Sequence, residues 1–189
     1  MFKRNGQPIP DIRNGVTADG VFYPWPISSE MLAELGIVDE PNDTRPDDRF
    51  HFVHDNGDGT FTAEPKPREQ VEAMIWSWIK IERDRLTRDG GYLASGKWFH
   101  SDELSRIQQL GLVQLGANIP AGLQWKTMDG SFVAMTPALA GQVFMAAALS
   151  DTAIFTAAEV HKAALAACAD PAAYDWRAGW PAVFEEPQP

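Results

Sequence analysis

The sequence predicts an α+β protein, and three observations carry that prediction. Eight of the 14 prolines lie in the first 67 residues, so long regular elements cannot form there. From Arg68 to Arg88 neither proline nor glycine occurs, while Val71, Met74, Ile75, Trp78 and Ile79 recur at helical spacing. A longer helical pattern begins at Pro137, and between the two lie short apolar runs punctuated by turn residues. The expected organisation is an irregular β-containing module over residues 1–66, an α+β domain over 67–181, and a polar tail over 182–189. The α+β domain comprises a connecting helix, two β-hairpins and further helices, one of them long.

Each element has a local reason. Ser28 or Ser29 can cap a short helix with Glu30 in its first turn, Met31, Leu32 and Leu35 on its apolar side, and Gly36 to end it. Arg49–His54 and Thr60–Ala63 flank Asp55-Asn56-Gly57-Asp58-Gly59, residues that tolerate positive φ, and form a hairpin candidate. The helix from Arg68 should stop at Gly90-Gly91, with Arg88 complementing its C-terminal dipole. Tyr92-Leu93-Ala94 and Lys97-Trp98-Phe99 bracket a tight Ser95-Gly96 turn, and Ser101, with Asp102 and Glu103 behind it, opens the next helix. Ile107, Leu110, Gly111 and Leu115 fit the inner face of that helix. A second hairpin, Leu123–Thr127 with Ser131–Met135, turns at Met128-Asp129-Gly130. Thr136-Pro137 then pairs a cap with proline at the first helical position and starts a helix to about Ala169.

That last helix carries two apolar sides. Leu139, Val143, Ala146, Ile154, Ala157, Leu165 and Cys168 form the main stripe. Met145, Leu149 and Val160 lie nearly opposite, with Phe144 and Phe155 between. A helix with one buried face does not need the second stripe. It predicts either further coverage by this chain or an oligomer interface through Met145, Leu149, Val160, Phe144 and Phe155. The segment from Asp170-Pro171 to Trp180-Pro181 holds three aromatics among turn residues and should fold back onto the body.

Composition narrows the function. Twenty-six acidic against 16 basic side chains give a net charge of −10, and no basic stripe offsets it, which argues against nucleic-acid binding. The single cysteine, Cys168, cannot form an intrachain disulfide and suits a reducing compartment, where it reads as a small buried thiol. No signal-peptide pattern follows Met1, and no unbroken apolar run approaches the ~18 residues of a membrane span, so membrane insertion is not expected.

Candidate chemistry is sparse. His100 and Asp102 could form an acid–base pair, but a strand-to-helix junction with Ser101 and Asp102 as caps accounts for them, and no nucleophile lies nearby. His51 and His54 fall on opposite faces of a strand and cannot chelate one metal. The Asp55–Gly59 run fails the calcium-hand pattern, because aligning Gly59 as the invariant glycine puts His54 first and Pro65 twelfth. His161 reads as a buried, hydrogen-bonded histidine or one at a subunit contact. Glu82-Arg83-Asp84-Arg85 is a solvated helix face, or an ion pair to another segment. Most of the seven tryptophans sit where large aromatics anchor a core, whereas Trp25, between two prolines, is free to be exposed and is the candidate for partner attachment. No catalytic, cofactor-binding or metal residue is assigned, and no cofactor is expected.

Four motifs occur in order: Glu82-Arg83-Asp84-Arg85; Lys97-Trp98-Phe99-His100-Ser101-Asp102 with Ser105-Arg106; Trp125-Lys126-Thr127-Met128-Asp129-Gly130-Ser131-Phe132; and Gly179-Trp180-Pro181. Over residues 70–181 the chain resembles a domain family that recurs in tail-fibre and tail-fibre-assembly genes of tailed bacteriophages and prophages, for which no activity is established. The resemblance implies a virion tail protein of fibre or baseplate, made in the host cytoplasm, whose partners are other tail proteins. It favours a homotrimer. A fibre-assembly chaperone absent from the finished virion is the alternative, and a glycan-active enzyme a weaker one. Residues 1–66 are assigned the partner-specific role, because preordered, proline-rich backbone loses little entropy on docking.

Overall fold

The computed structural model describes residues 1–9, 11–40, 44–57 and 59–186. Pro10, Pro41, Asp58 of the first turn, and Pro187 to Pro189 of the tail lie outside the described residues. The architecture is α+β, in two compact units, Met1–Pro67 and Arg68–Pro189.

The N-terminal unit is built from short antiparallel pairs. Strands β1 (Phe2–Arg4), β2 (Gln7–Pro8) and β5 (Ile37–Asp39) form one sheet in the order β2-β1-β5, with Lys3 opposite both Pro8 and Val38. Strands β3 (Val16–Ala18) and β4 (Val21–Tyr23) form a hairpin. Both two-residue turns, Asn5-Gly6 and Asp19-Gly20, place both residues at positive φ, the geometry that matches strand twist. Helix α1 (Ser29–Glu34) is capped by the Ser28 hydroxyl, which accepts from the Met31 amide at 3.2 Å, and Gly36 follows at φ 66°. Ile12, Val16 and Ile37 make a small core, lined by Phe2, Ile9, Ile27, Leu32 and Leu35. Strands β6 (His51–Asp55) and β7 (Phe61–Pro65) form a separate hairpin.

The C-terminal unit is organised on one long helix. Helix α2 (Arg68–Asp89) is followed by the hairpin β8 (Tyr92–Ala94) and β9 (Lys97–Phe99), then α3 (Glu103–Leu115). The hairpin β10 (Gln124–Lys126) and β11 (Phe132–Ala134) leads into α4 (Pro137–Ala167), about 46 Å long at 1.5 Å per residue. Helices α2 and α3 and strand β8 all pack on α4. One core joins Tyr92, Phe99, Leu112, Met135 and Val143, and Ile75, Ile79 and Ile154 are likewise buried. The Thr136 hydroxyl caps α4 by accepting from Leu139 N at 3.1 Å. At the other end, the Arg68 guanidinium donates to the carbonyls of Ala166, Cys168 and Ala169 at 3.1, 2.8 and 3.1 Å, placing a cation where the helix dipole is negative.

Several sequence expectations need correction. The inner face of α3 is Gln109 and Leu112, whereas Ile107, Leu110, Gly111 and Leu115 are exposed. Gln109 turns inward with both ends of its amide bonded, accepting from the Tyr92 hydroxyl and donating to the His100 carbonyl at 3.1 Å. The cap of α3 is Asp102 alone, since Ser101 is buried and serves the end of α2 instead. Val183 and Phe184, read as part of a polar tail, are half-buried: Phe184 N–H donates to the Gly90 carbonyl at 2.8 Å and its ring meets Trp98 edge-on. By length and composition, α4 is also long and apolar enough to cross a membrane. Gln142 and Ser150-Asp151-Thr152 interrupt its apolar pattern, so it holds no unbroken apolar run of that length.

Candidate functional site

The residues that could carry chemistry are tied into the fold. Asp102 accepts from the Ser105 amide at 3.0 Å and its hydroxyl at 2.6 Å, and these bonds hold its carboxyl below the usual range. His51 Nδ1 lies 3.2 Å from the Asp47 carbonyl, and His54 is exposed on the other face of β6. Asp55 accepts from Gly57 N–H at 2.8 Å, as in a turn. Among the described residues, no group of three or more His, Cys, Asp or Glu side chains is placed to hold a metal ion.

Three polar knots account for three of the four sequence motifs. The first centres on Arg106, whose Nε donates to the Ser101 carbonyl at 2.6 Å and whose terminal nitrogen reaches the Thr87 carbonyl at 2.9 Å. Its fork grips both oxygens of Asp151 on α4, at 2.7 and 2.9 Å, and its guanidinium lies 5.5 Å from the Tyr92 ring centre. Beside it, the Ser101 hydroxyl accepts from Gly91 N–H and donates to the Arg88 carbonyl, both at 2.9 Å. One arginine thus fastens the end of α2, the start of α3 and the middle of α4. Burial pushes the Tyr92 phenol up to about 12, so it stays a neutral hydrogen-bond donor.

The second knot joins the two hairpins. Lys97 Nζ of β9 donates to Asp129 at 2.7 Å and to Ser131 at 2.9 Å, while Thr127 and Ser131 donate to the same carboxylate. Those bonds, Lys97 first, hold the Asp129 carboxyl well below its ordinary range. The third knot locks the C-terminal segment. His161 Nδ1 lies 2.8 Å from the Tyr174 hydroxyl, and the Trp180 ring stacks at 5.0 Å on the imidazole. Burial pushes the His161 pKa down, against a hydrogen bond to the Ala178 backbone and the charge of Asp175, which act the other way. By contrast, Glu82-Arg83-Asp84-Arg85 pairs within its own helix, Arg85 with Glu82 and Arg83 with Asp84.

What these knots leave unused is apolar surface. On α4 Phe144, Met145, Leu149, Phe155 and Val160 are 48–63% exposed. On α3 Leu104, Ile107, Leu110 and Leu115 are 43–64% exposed. The two faces meet at an open groove of about 430 Å³, where Ile107 of α3 and Phe155 of α4 both contribute walls beside Thr87 and Arg88. Arg83 lies 4.7 Å over the Phe155 ring, and the Thr87 hydroxyl in the wall is buried without a protein partner. The α3 half of this face escaped the sequence reading, although Gln109 amid leucines was a signal that the apolar side need not be the inner one. In the N-terminal unit Trp25 is 38% exposed, with Phe2 against its ring edge at 5.7 Å.

No curated protein and no solved structure matches the chain. A family model described as a domain of unknown function, DUF4376, matches residues 70–178, which spans the first two knots, His161 and Tyr174 of the third, and both bare helix faces. The chain therefore belongs to the DUF4376 family.

Proposed function

We propose that this protein works by binding other protein subunits, as a structural component of a bacteriophage tail associated with the fibre or baseplate. The observation that carries the binding role is the bare apolar surface of α3 and α4, beside polar groups already bonded to one another. A catalytic site instead needs convergent polar groups left open toward a substrate. The tail setting rests on the four ordered motifs and the resemblance they carry. In this reading residues 1–66, with Trp25 at their surface, attach the protein to its specific neighbour, and the helical unit joins copies, in a trimer if the fibre is threefold.

Mass spectrometry of purified phage particles tests it. Stoichiometric presence supports a virion component, and absence together with binding to nascent fibres makes the protein an assembly chaperone. Absence from both overturns the tail reading. Degradation of host surface polysaccharide by the pure protein, abolished in a folded His100→Ala variant, would make it an enzyme. A truncated protein lacking residues 1–66 is expected to fail to enter the particle.

A further inference from the structure

We infer that the bare faces of α3 and α4 are the contact surface for a second copy of this chain. The inference rests on the subunit-binding reading above and names one of the subunits. Charge is the first argument. Between Pro137 and Ala158 α4 has a single ionisable side chain, Asp151, and Arg106 of the same chain holds both its oxygens. Between Leu104 and Leu115 α3 has only that same Arg106. A chain of net charge −10 repels its copy wherever acidic surfaces meet, and here the carboxylates lie at the margins, Asp84 and Glu103 at the groove and Glu159 beside Val160. A basic partner, drawn to the chain elsewhere, finds no free carboxylate on this stretch. A face with few charges between its margins is compatible with itself, as a contact between identical subunits requires.

Area is the second argument. The nine large apolar side chains on the two faces are each about half exposed. Half of a large side chain is roughly 100 Å², so together they present on the order of the ~800 Å² per partner of a standard interface. Shape adds a third. The groove between Ile107 and Phe155, with Asp84, Arg88, Glu103 and Arg106 around it, offers a socket for a large side chain of the copy that carries a polar tip.

Sedimentation equilibrium of the full chain across the micromolar range tests this. The expected mass is that of two or more copies. Leu149→Glu on α4 and Ile107→Glu on α3 should each weaken association by at least ~30-fold, a hot-spot-sized loss, while helix content by circular dichroism and the unfolding midpoint hold. Leu149→Met should associate like the unaltered chain. The inference is overturned if the protein is a monomer throughout, if both charged variants associate normally, or if both lose helix content. Capture of the monomer by phosphatidylcholine–phosphatidylglycerol vesicles, lost in the same variants, would assign the face to a membrane instead. Particle mass spectrometry answers separately: a monomer found in virions sinks only this inference, and an oligomer absent from virions and nascent fibres sinks only the tail setting.

Discussion

The two sides of α4 have nearly the same composition and opposite fates. Val143, Ile154, Ala158 and Leu165 are buried under α2, α3, β8 and the C-terminal segment, while Phe144, Met145, Leu149 and Val160 face solvent. Apolarity alone therefore did not choose the covered side. What distinguishes that side is its polar anchors: Asp151 reaches Arg106, His161 reaches Tyr174, and Arg68 closes the helix end. Directional bonds select one of two apolar faces, because burial is non-directional and either face would satisfy it.

Substitutions that treat the two sides alike should separate them. The largest effect is expected at Ile154, 1% exposed, where Ile154→Ala should cost ~2–5 kcal/mol in urea unfolding. Leu149→Ala, at 63% exposure, should stay within about 0.5 kcal/mol when measured at monomer concentrations. Equal losses at both would erase the distinction between the faces.

Breaking the anchor rather than the packing comes next. Arg106→Ala leaves Asp151 and two helix-end carbonyls without their donor and should cost about 2 kcal/mol. That is below the ~3–5 kcal/mol of a fully buried pair, because Arg106 and Asp151 retain 28% and 33% side-chain exposure. In a double-mutant cycle with Asp151→Ala the two losses should be clearly non-additive, and simple additivity would mean that the fork is not the anchor.

Gly91 tests the turn that brings α2 to this anchor. It sits at φ 68°, and a β-carbon there would run into Met128 and lie 3.0 Å from the Phe99 carbonyl. Gly91→Ala should lose ~1–2 kcal/mol from backbone strain alone, more with the collision, while Gly96→Ala, also at positive φ but with open space, should lose only the strain.

The smallest effect is pH dependence at the C-terminal lock. Burial lowers the His161 pKa, so near neutrality the unfolded chain, titrating at about 6.5, binds more protons than the folded one. Stability from this group is present above that value and is lost as pH falls through 6.5 toward the lower folded pKa. The unfolding midpoint should therefore drop between about pH 7.5 and 5.5, and the drop should shrink in His161→Gln. The low-lying carboxyls of Asp102 and Asp129 titrate below this window. An unchanged slope in the variant would remove His161 from the account.

Much of the local architecture was readable in the chain. Ser28, Asp102 and Thr136 cap three of the four α-helices with their own side chains, Gly91 follows the end of α2 at positive φ, and Ser95-Gly96 turns the first hairpin of the helical unit. The N-terminal unit was read less fully. Asn5-Gly6 and Asp19-Gly20 are strong hairpin dipeptides, but the density of prolines drew attention from them, and strands of two and three residues give almost no alternation to detect. Of the candidate interface, the α4 half was visible as a second stripe, and the α3 half was assigned to the core.

Sequence by itself determined the α+β class and, in the helical unit, the element boundaries and most of the caps and turns, since the local features depend on residues within about four positions of one another. Tertiary structure decided which side of α3 turns inward, which stripe of α4 is covered, and that Arg106 rather than the His100–Asp102 pair is the centre of the polar network. Those outcomes depend on groups 17, 45 or 10 positions apart, as between Tyr92 and Gln109, Arg106 and Asp151, or Gly91 and Ser101. A 3.6-residue period says that a helix has an apolar side, and only neighbours in space determine whether that side meets its own chain or is left for another.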